Sequence, residues 1–514
     1  MSSARIIHSG GAVVIDDVPD ISVLSLLRQY GINIQAPCGG NGTCGKCRVH
    51  ISEENGQSYE ALACRTPARG GMTITVPEEN VGIIESNVNE LSFPTDGENG
   101  FGLAFDIGTT TVAAALVSLS EGRVLDTRSD WNRQGHRGRD VISRARYALE
   151  TDDGLSTLSG NIILQMEDMA HDLLSSCGID KRDIKRIAIA GNTIMEHFVK
   201  GLPVEKIVKA PFVPDTLFRE DTGFRLPHFS EAETLLMPCI SGYVGGDIVC
   251  GLCCDDGIRE DEAIRIYMDI GTNGEVVLTY GGKITCCSVA MGPAFEGARM
   301  SCGMRSVEGA IDHFTYDGGL KWSVIGHAEP KGICGSGIID LVSILLDRGI
   351  IDGTGRLLEP DEIDGTEPLA GGLSLDEDGM ALFWVDRENG IFLSSGDIRK
   401  VQLAKRAMAT GVELLAENAG ITRSDIDRLY IAGGFGKSLN VGTCINIGLL
   451  PEGMEDRTVY LGNASLRGCC RALCSKSTRE KLRRTAADAE YIELTLSGLF
   501  SDRYIDNLNF REEI

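Results

Sequence analysis

The sequence predicts a multidomain α/β (α+β) protein, and three observations carry that prediction. Its 514 residues exceed what one hydrophobic core organises, at about 100 to 200 residues per domain. Near the start, three thiols (Cys38, Cys44 and Cys47) stand within one glycine-rich stretch, CGGNGTCGKC. Further on, an Asp-x-Gly-Thr pattern occurs twice, in FGLAFDIGTTTVAAALV and in IYMDIGTNGEVVLTY, each time between two β-rich runs. The chain thus divides into a small cysteine-bearing unit and a larger body with two related halves.

Composition narrows the class. Hydrophobic residues make up 42%, and 63 glycines against 15 prolines indicate a globular chain with many tight turns. A net charge of -25 and a pI near 4.8 argue against nucleic acid, because no basic surface replaces phosphate counterions. A protein partner with basic patches suits this charge better. No apolar run approaches 18 residues and the start, MSSARIIHSG, lacks a signal peptide's pattern, so no membrane and a cytoplasmic location are expected. The 17 cysteines, an odd count with adjacent pairs, suit a reducing compartment.

In chain order, residues 4–18 alternate apolar and polar around Gly10-Gly11, predicting a hairpin, and residues 21–30 carry apolar residues at helical spacing. The cysteine stretch follows. Thiolates must reach iron from several directions, and Gly39, Gly40, Gly42 and Gly45 let the backbone curl between them. With Cys64 the spacing is C-x5-C-x2-C-x16-C, close to that of plant-type two-iron clusters. The expected group is a [2Fe-2S] cluster on Cys38, Cys44, Cys47 and Cys64. A structural zinc site, the competing reading, pairs ligands as C-x2-C twice, and only Cys44 and Cys47 show that pairing. Short strands are expected at 49–51 and 72–76. Hairpin, helix, cysteine loop and returning strands resemble the β-grasp fold of two-iron ferredoxins over residues 1–77, although the run from Cys47 to Cys64 is shorter than in plant ferredoxins. Residues 78–100, polar and acidic with Pro94, Gly97 and Gly100, are expected to be a linker that lets this unit swing.

The first Asp-x-Gly-Thr stretch reads as a phosphate-binding hairpin. Gly108 brings backbone N–H groups close to a phosphate, Thr109 and Thr110 add hydroxyl donors, and Asp106 can hold magnesium through water. Alone it could equally be an ordinary tight hairpin. The second copy, Asp269, Gly271, Thr272, Asn273 and Gly274, changes that, since a bilobal nucleotide site needs one hairpin from each lobe. A later glycine turn, YIAGGFG, offers bare backbone at Gly433 and Gly434, followed by Phe435, for an adenosine. This order resembles the superfamily of acetate and sugar kinases, Hsc70 and actin, which binds ATP between two ribonuclease-H-like lobes. The resemblance implies a first lobe at 101–205, completed by 460–514, and a second at 206–459. It also implies helix starts on the lobe interface at the Gly-Asn pairs of AGNTIMEHF and LGNASLRGCC. Helices are expected at 139–150, 156–176 and 402–419. Glu296, in GPAFEGA, is a candidate to orient a nucleophilic water, or else a lobe-interface carboxylate.

A ferredoxin unit joined to such an ATPase resembles the ATP-dependent reductive activators of corrinoid proteins. GNTIMEHF, GGDIV, DIGTNGE, GPAFEGA, GICGSGIID, AKRAM, AGGFG and GNASL stand in that family's order. The resemblance implies ATP and Mg2+ as cofactors and electron transfer from the [2Fe-2S] cluster to a Co(II) corrinoid, restoring Co(I) for methyl transfer. The implied partners are a corrinoid protein of a methyltransferase system, an upstream low-potential electron donor and, in a homodimer, a second copy. Two other functions compete: an activator of a radical acyl-CoA dehydratase or benzoyl-CoA reductase, which lacks a fused ferredoxin, and a small-molecule kinase with a redox domain. Cys250, Cys253 and Cys254 with Cys286, Cys287 or Cys302 read either as a second cluster or as buried small hydrophobes.

Overall fold

The computed structural model describes residues 3–8, 11–30, 32, 34, 47–53, 56–76, 92–138, 140–258, 262–297, 299–434, 439–494, 503–504 and 508–510. In the N-terminal unit the hairpin Ala4–His8/Gly11–Ile15 pairs Ala4 with Ile15, and Ala4–His8 runs parallel to Met72–Thr75. Arg48–Glu53 continues the sheet on the other side of Met72–Thr75. Alternation puts Ile6, Val49, Ile51 and Ile74 on one face, where Leu24 and Leu27 of the helix Val23–Gln29 cover them. A fifth strand, Ser58–Leu62, escaped the sequence reading. It is an edge strand whose residues are half-buried or exposed, so it carries little apolar alternation.

The end of the expected linker is not free. Phe93 is buried, its N–H donates to the Gly122 carbonyl at 2.7 Å, and Asp96 bonds to Cys474 and Lys476. Residues 92–98 therefore belong to the body of the protein, and residues 77–91 lie outside the described residues.

Among the described residues the body contains two large sheets and two smaller, three-stranded ones. The first runs Glu233–Leu236, Ile184–Gly191, Phe101–Ile107, Thr111–Ser118, Arg123–Trp131 in spatial order. Leu103, Phe105 and Ile107 point to one face, under the helices Val141–Glu150, Gly154–Cys177 and Thr193–Lys200, while Ala104 points to the other. The second runs Thr458–Gly462, Arg428–Ala432, Arg265–Ile270, Gly274–Tyr280, Lys283–Val289, Glu490–Tyr491. Its Ile266, Met268 and Ile270 pack with the helices Gly335–Asp347 and Ser395–Ala419. Between the sheets lies a shared core, in which the helices Gly246–Leu252 and Ala464–Cys474 separate Ala104, Ala113 and Ala188 from Tyr267, Val277 and Tyr430. The small residues on the first sheet let the helices approach closely.

The pairing redraws the expected lobes. Glu233–Leu236 joins the first sheet through Ile184–Gly191, beyond the expected end at residue 205. Among the described residues of the C-terminal stretch 460–514, the end of Thr458–Gly462 and Glu490–Tyr491 pair in the second sheet, and the helix Ala464–Cys474 returns to the first by packing and side-chain hydrogen bonds. Sequence order alone does not say which sheet a strand edge completes, since both present parallel edges.

Candidate functional site

The first hairpin turns between Ile107 and Val112, which face each other across antiparallel strands. Gly108 is required there, because a Cβ would sit 2.6 Å from the Thr111 carbonyl oxygen. Two side chains fix the turn from behind. Asn132 donates its amide to the Gly108 carbonyl at 2.8 Å, and the buried Arg144 guanidinium donates to the Thr109 carbonyl. Arg144 also donates to Gly138 O (2.9 Å) and to Gln134 Oε1 (3.2 Å), and burial pulls its guanidinium down to about 9. At the strand end the Asp106 carboxylate accepts Asn463 Nδ2 on Oδ2 and Ser465 Oγ on Oδ1, both at 2.8 Å. Both donors sit at the start of the helix Ala464–Cys474, where Asn463 Oδ1 also accepts the Leu466 N–H.

The second hairpin joins Arg265–Ile270 to Gly274–Tyr280, with the Gly271 N–H donating to Asn273 O at 3.1 Å. Parallel pairing aligns Asp269 with Ala432, so the GGFG turn starts beside Asp269. Gly433 has φ +95°, and a Cβ there would lie 2.9 Å from Asp269 Oδ1. Gly433 is thus bare because the carboxylate is close; Gly434 follows it in the turn, and Phe435 falls outside the described residues. Met291 and Met408 crowd Gly274.

Glu296 lies between the two hairpins. It ends the 3-10 turn Ala294–Glu296 and accepts Thr110 Oγ1 on Oε2 at 3.2 Å and Thr272 Oγ1 on Oε1 at 2.5 Å. One carboxylate joins hydroxyls that come from opposite lobes. Nearby, the Arg305 guanidinium stacks 3.8 Å from the centre of the Trp131 ring, a second contact between the second lobe and the first.

The electrostatics of the cleft follow from acids gathered in little water. Burial and Asp106 push the Asp269 carboxyl up to about 7; burial, Asp269 and Asp106 push Asp247 up to about 8. Burial also raises Asp106, against the pull of Ser465 and Asn463. Glu196 and Glu275, buried next to Asp247, are raised as well. Such a cluster favours a divalent cation with phosphate oxygens, and the residues present suit Mg2+ and ATP: acids for the metal's waters, hairpin N–H and hydroxyl groups for phosphates. Asp247 was missed by the sequence reading, as were Asn132, Arg144, Asn463 and Ser465 in their roles here. The signal for Asp247 was present in GGDIV, where an acid follows two glycines at a helix start. Gly245 and Gly246 allow that helix to lie against Gly191, Asn192 and Glu196.

In the N-terminal unit, Cys38 and Cys44 lie outside the described residues, while Cys47 is buried and Cys64 half-buried. The Cys64 N–H donates to Cys47 Sγ at 3.4 Å, which brings these two residues together and gives the sulfur the backbone N–H donor typical of iron-sulfur ligands. The pair fits two ligands of a cluster. Cys250, Cys253, Cys254, Cys286 and Cys287 are buried in the packed cores, and Cys302 is half-buried; none of them joins two other side chains in a direct metal-ligand set among the described residues. The glycines of GICGSGIID admit close packing at a helix entry, as at Gly337 against Ile311 O.

Comparison with known proteins agrees with this architecture. A 2Fe-2S iron-sulfur cluster binding domain matches residues 6–69, the RACo middle region matches 101–256, and the C-terminal domain of RACo, the ASKHA domain, matches 263–513. The corrinoid activation enzyme RamQ of Eubacterium limosum is 29% identical over 97% of this chain and 98% of its own length. A [Co(II) methylated amine-specific corrinoid protein] reductase of Methanosarcina barkeri is 22% identical over 80% of this chain and 77% of its own. A solved structure of a reductive activator for corrinoid,iron-sulfur protein superimposes with a TM-score of 0.71 at 28% identity, covering 98% of both chains. With both RACo regions matched in order behind a two-iron ferredoxin domain, the chain belongs to the RACo family.

Proposed function

We propose that this chain is an ATP-hydrolysing corrinoid-protein reductase, which passes one electron from its [2Fe-2S] cluster to a Co(II) corrinoid and restores Co(I). The observation that carries the reading is Glu296, which ties two phosphate-type hairpins from separate lobes behind a cysteine-bearing ferredoxin unit. In this reading Cys38, Cys44, Cys47 and Cys64 hold the cluster, which supplies the one-electron chemistry. Gly108, Thr109, Thr110, Gly271, Thr272, Asn273 and Gly274 bind the phosphates, and Gly433, Gly434 and Phe435 lie along the adenosine. Asp106 and Asp269 would hold Mg2+ through its waters, and the cation would supply the positive charge that offsets the repulsion between the two carboxyls. Glu296 leaves Thr110 and Thr272 free to donate to the γ-phosphate and takes a proton from the attacking water.

The partner is a corrinoid protein of a methyltransferase system, and a separate low-potential protein donor recharges the cluster. The ferredoxin unit is residues 1–77, and the ATPase lobes follow from residue 92. Any homodimer arises from a second copy of this chain. The test is anaerobic reduction of a purified Co(II) corrinoid protein by the chemically reduced chain, followed by the absorbance of Co(I). Co(I) is expected with Mg-ATP and not with Mg-ADP. Phosphoryl transfer to acetate or a sugar, with no Co(I) formed, would replace this reading with that of a kinase.

A further inference from the structure

The helix Ala464–Cys474 connects two places that the sequence keeps far apart. Its first residues hold both oxygens of Asp106, through Asn463 and Ser465. Along its buried side Cys469 Sγ donates to Phe105 O, and Leu473 lies against Gly102 of the same strand. At its far end the chain breaks at Ser475, which is extended (φ -135°, ψ 128°) and gives no side-chain cap to the next helix, Lys476–Asp488. Asp96 seals that break. Its N–H donates to Cys474 O at 3.0 Å, and its Oδ2 accepts the Lys476 N–H at 2.7 Å. A carboxylate from the segment leading to the ferredoxin unit thus takes the N-cap role that Ser475 leaves empty.

Resting on the proposed function, we infer that Asp96 is a positioning residue that couples the nucleotide cleft to the ferredoxin tether through the helix Ala464–Cys474. A Mg2+-bound water donating to Asp106 would draw charge from the two oxygens that Asn463 and Ser465 hold, and the weakened hydrogen bonds would let the helix start shift. The packed helix carries the shift to Cys474 and Lys476, and Asp96 hands it to residues 92–98. Each turnover moves one electron from the reduced cluster to Co(II), giving oxidised cluster and Co(I), while water cleaves ATP to ADP and phosphate. Asp96 touches neither reaction; it sets where the tether leaves the ATPase.

The experiment uses the full chain. Asp96→Ala should hydrolyse ATP at the parent rate but form at least about fivefold less Co(I) per ATP, within the usual range of coupling between sites. Asp96→Asn, whose side-chain oxygen still accepts the Lys476 N–H, should restore the ratio. Hydrogen exchange gives a readout independent of turnover: Mg-AMPPNP should change exchange at Lys476 and at residues 92–98 in the parent, and not in Asp106→Asn. A parent ratio in Asp96→Ala, or exchange at Lys476 indifferent to Mg-AMPPNP, overturns the inference. If the parent forms no Co(I) with ATP, the proposed function fails instead, and exchange at Lys476 still decides the coupling.

Discussion

The two hairpins carry nearly the same letters, DIGTT and DIGTN, and sit in different surroundings. The first is held by polar and charged groups: Arg144 and Asn132 grip its carbonyls, and Asn463 and Ser465 grip Asp106. The second is held by close packing, with Met291 and Met408 on Gly274 and the bare Gly433 beside Asp269. A local motif therefore sets the turn, while its neighbours set the charge state of the acid and the stiffness of the loop. Asp106 is braced and hydrogen-bonded. Asp269 has no hydrogen bond to its carboxylate among the described residues and rises to about 7.

The largest effect expected is on turnover. Asp106→Ala and Asp269→Ala should each lower ATP hydrolysis by about 10²- to 10⁴-fold, as measured by phosphate release. Loss at one hairpin with full turnover at the other would break the equivalence of the pair. Glu296→Gln should lower kcat by about 10²-fold and leave the KM for ATP within a few-fold, since a neutral amide still meets the two threonines and cannot take a proton. An unchanged kcat would leave Glu296 only the role of an interlobe tie.

The next effect falls on stability and belongs to the first hairpin alone. Arg144→Met leaves the carbonyls of Thr109 and Gly138 without this donor, and should destabilise the chain by about 3 kcal/mol in denaturant melts. The second hairpin, with no such cation among its described contacts, should report instead through pH. Unfolded carboxyls titrate near about 4, so from there up to about 7 for Asp269 and about 8 for Asp247 the folded chain retains protons that the unfolded chain has released. The stability of the nucleotide-free chain should therefore fall as pH rises through that window and level off above it. Asp269→Asn should flatten the slope, seen as melting temperature against pH, and a slope equal to the parent's would mean that Asp269 is not the group responsible.

The smallest effects separate the glycines. A Cβ at Gly108 meets a backbone carbonyl at 2.6 Å, whereas at Gly271 the nearest atom is 3.5 Å away. Gly108→Ala should thus cost about 1 to 3 kcal/mol of stability, and Gly271→Ala well under about 1 kcal/mol. Equal losses would show that both turns are limited by the backbone itself.

The sequence by itself determined the parts whose cause is local. Alternation and turn glycines gave the hairpins, side-chain caps such as Asn192 and Asn463 started their helices, and cysteine spacing marked Cys47 and Cys64 as neighbours in a cluster unit before they were seen together. Local periodicity also placed the long helices Gly154–Cys177 and Ser395–Ala419 to within a few residues at their C-terminal ends. Only the tertiary structure decided what depends on contacts between distant stretches: that Glu233–Leu236 closes the first sheet, that residues 92–98 are fixed to the body, and that Asp247 joins Asp106 and Asp269. It alone brought Glu296 to Thr110 across 186 residues and Asn463 to Asp106 across 357. The reason is physical. A turn or a cap is stabilised by atoms a few residues apart, so its cause is written in one stretch of letters, whereas a carboxyl's charge and a strand's partner are set by whatever the folded chain packs against them.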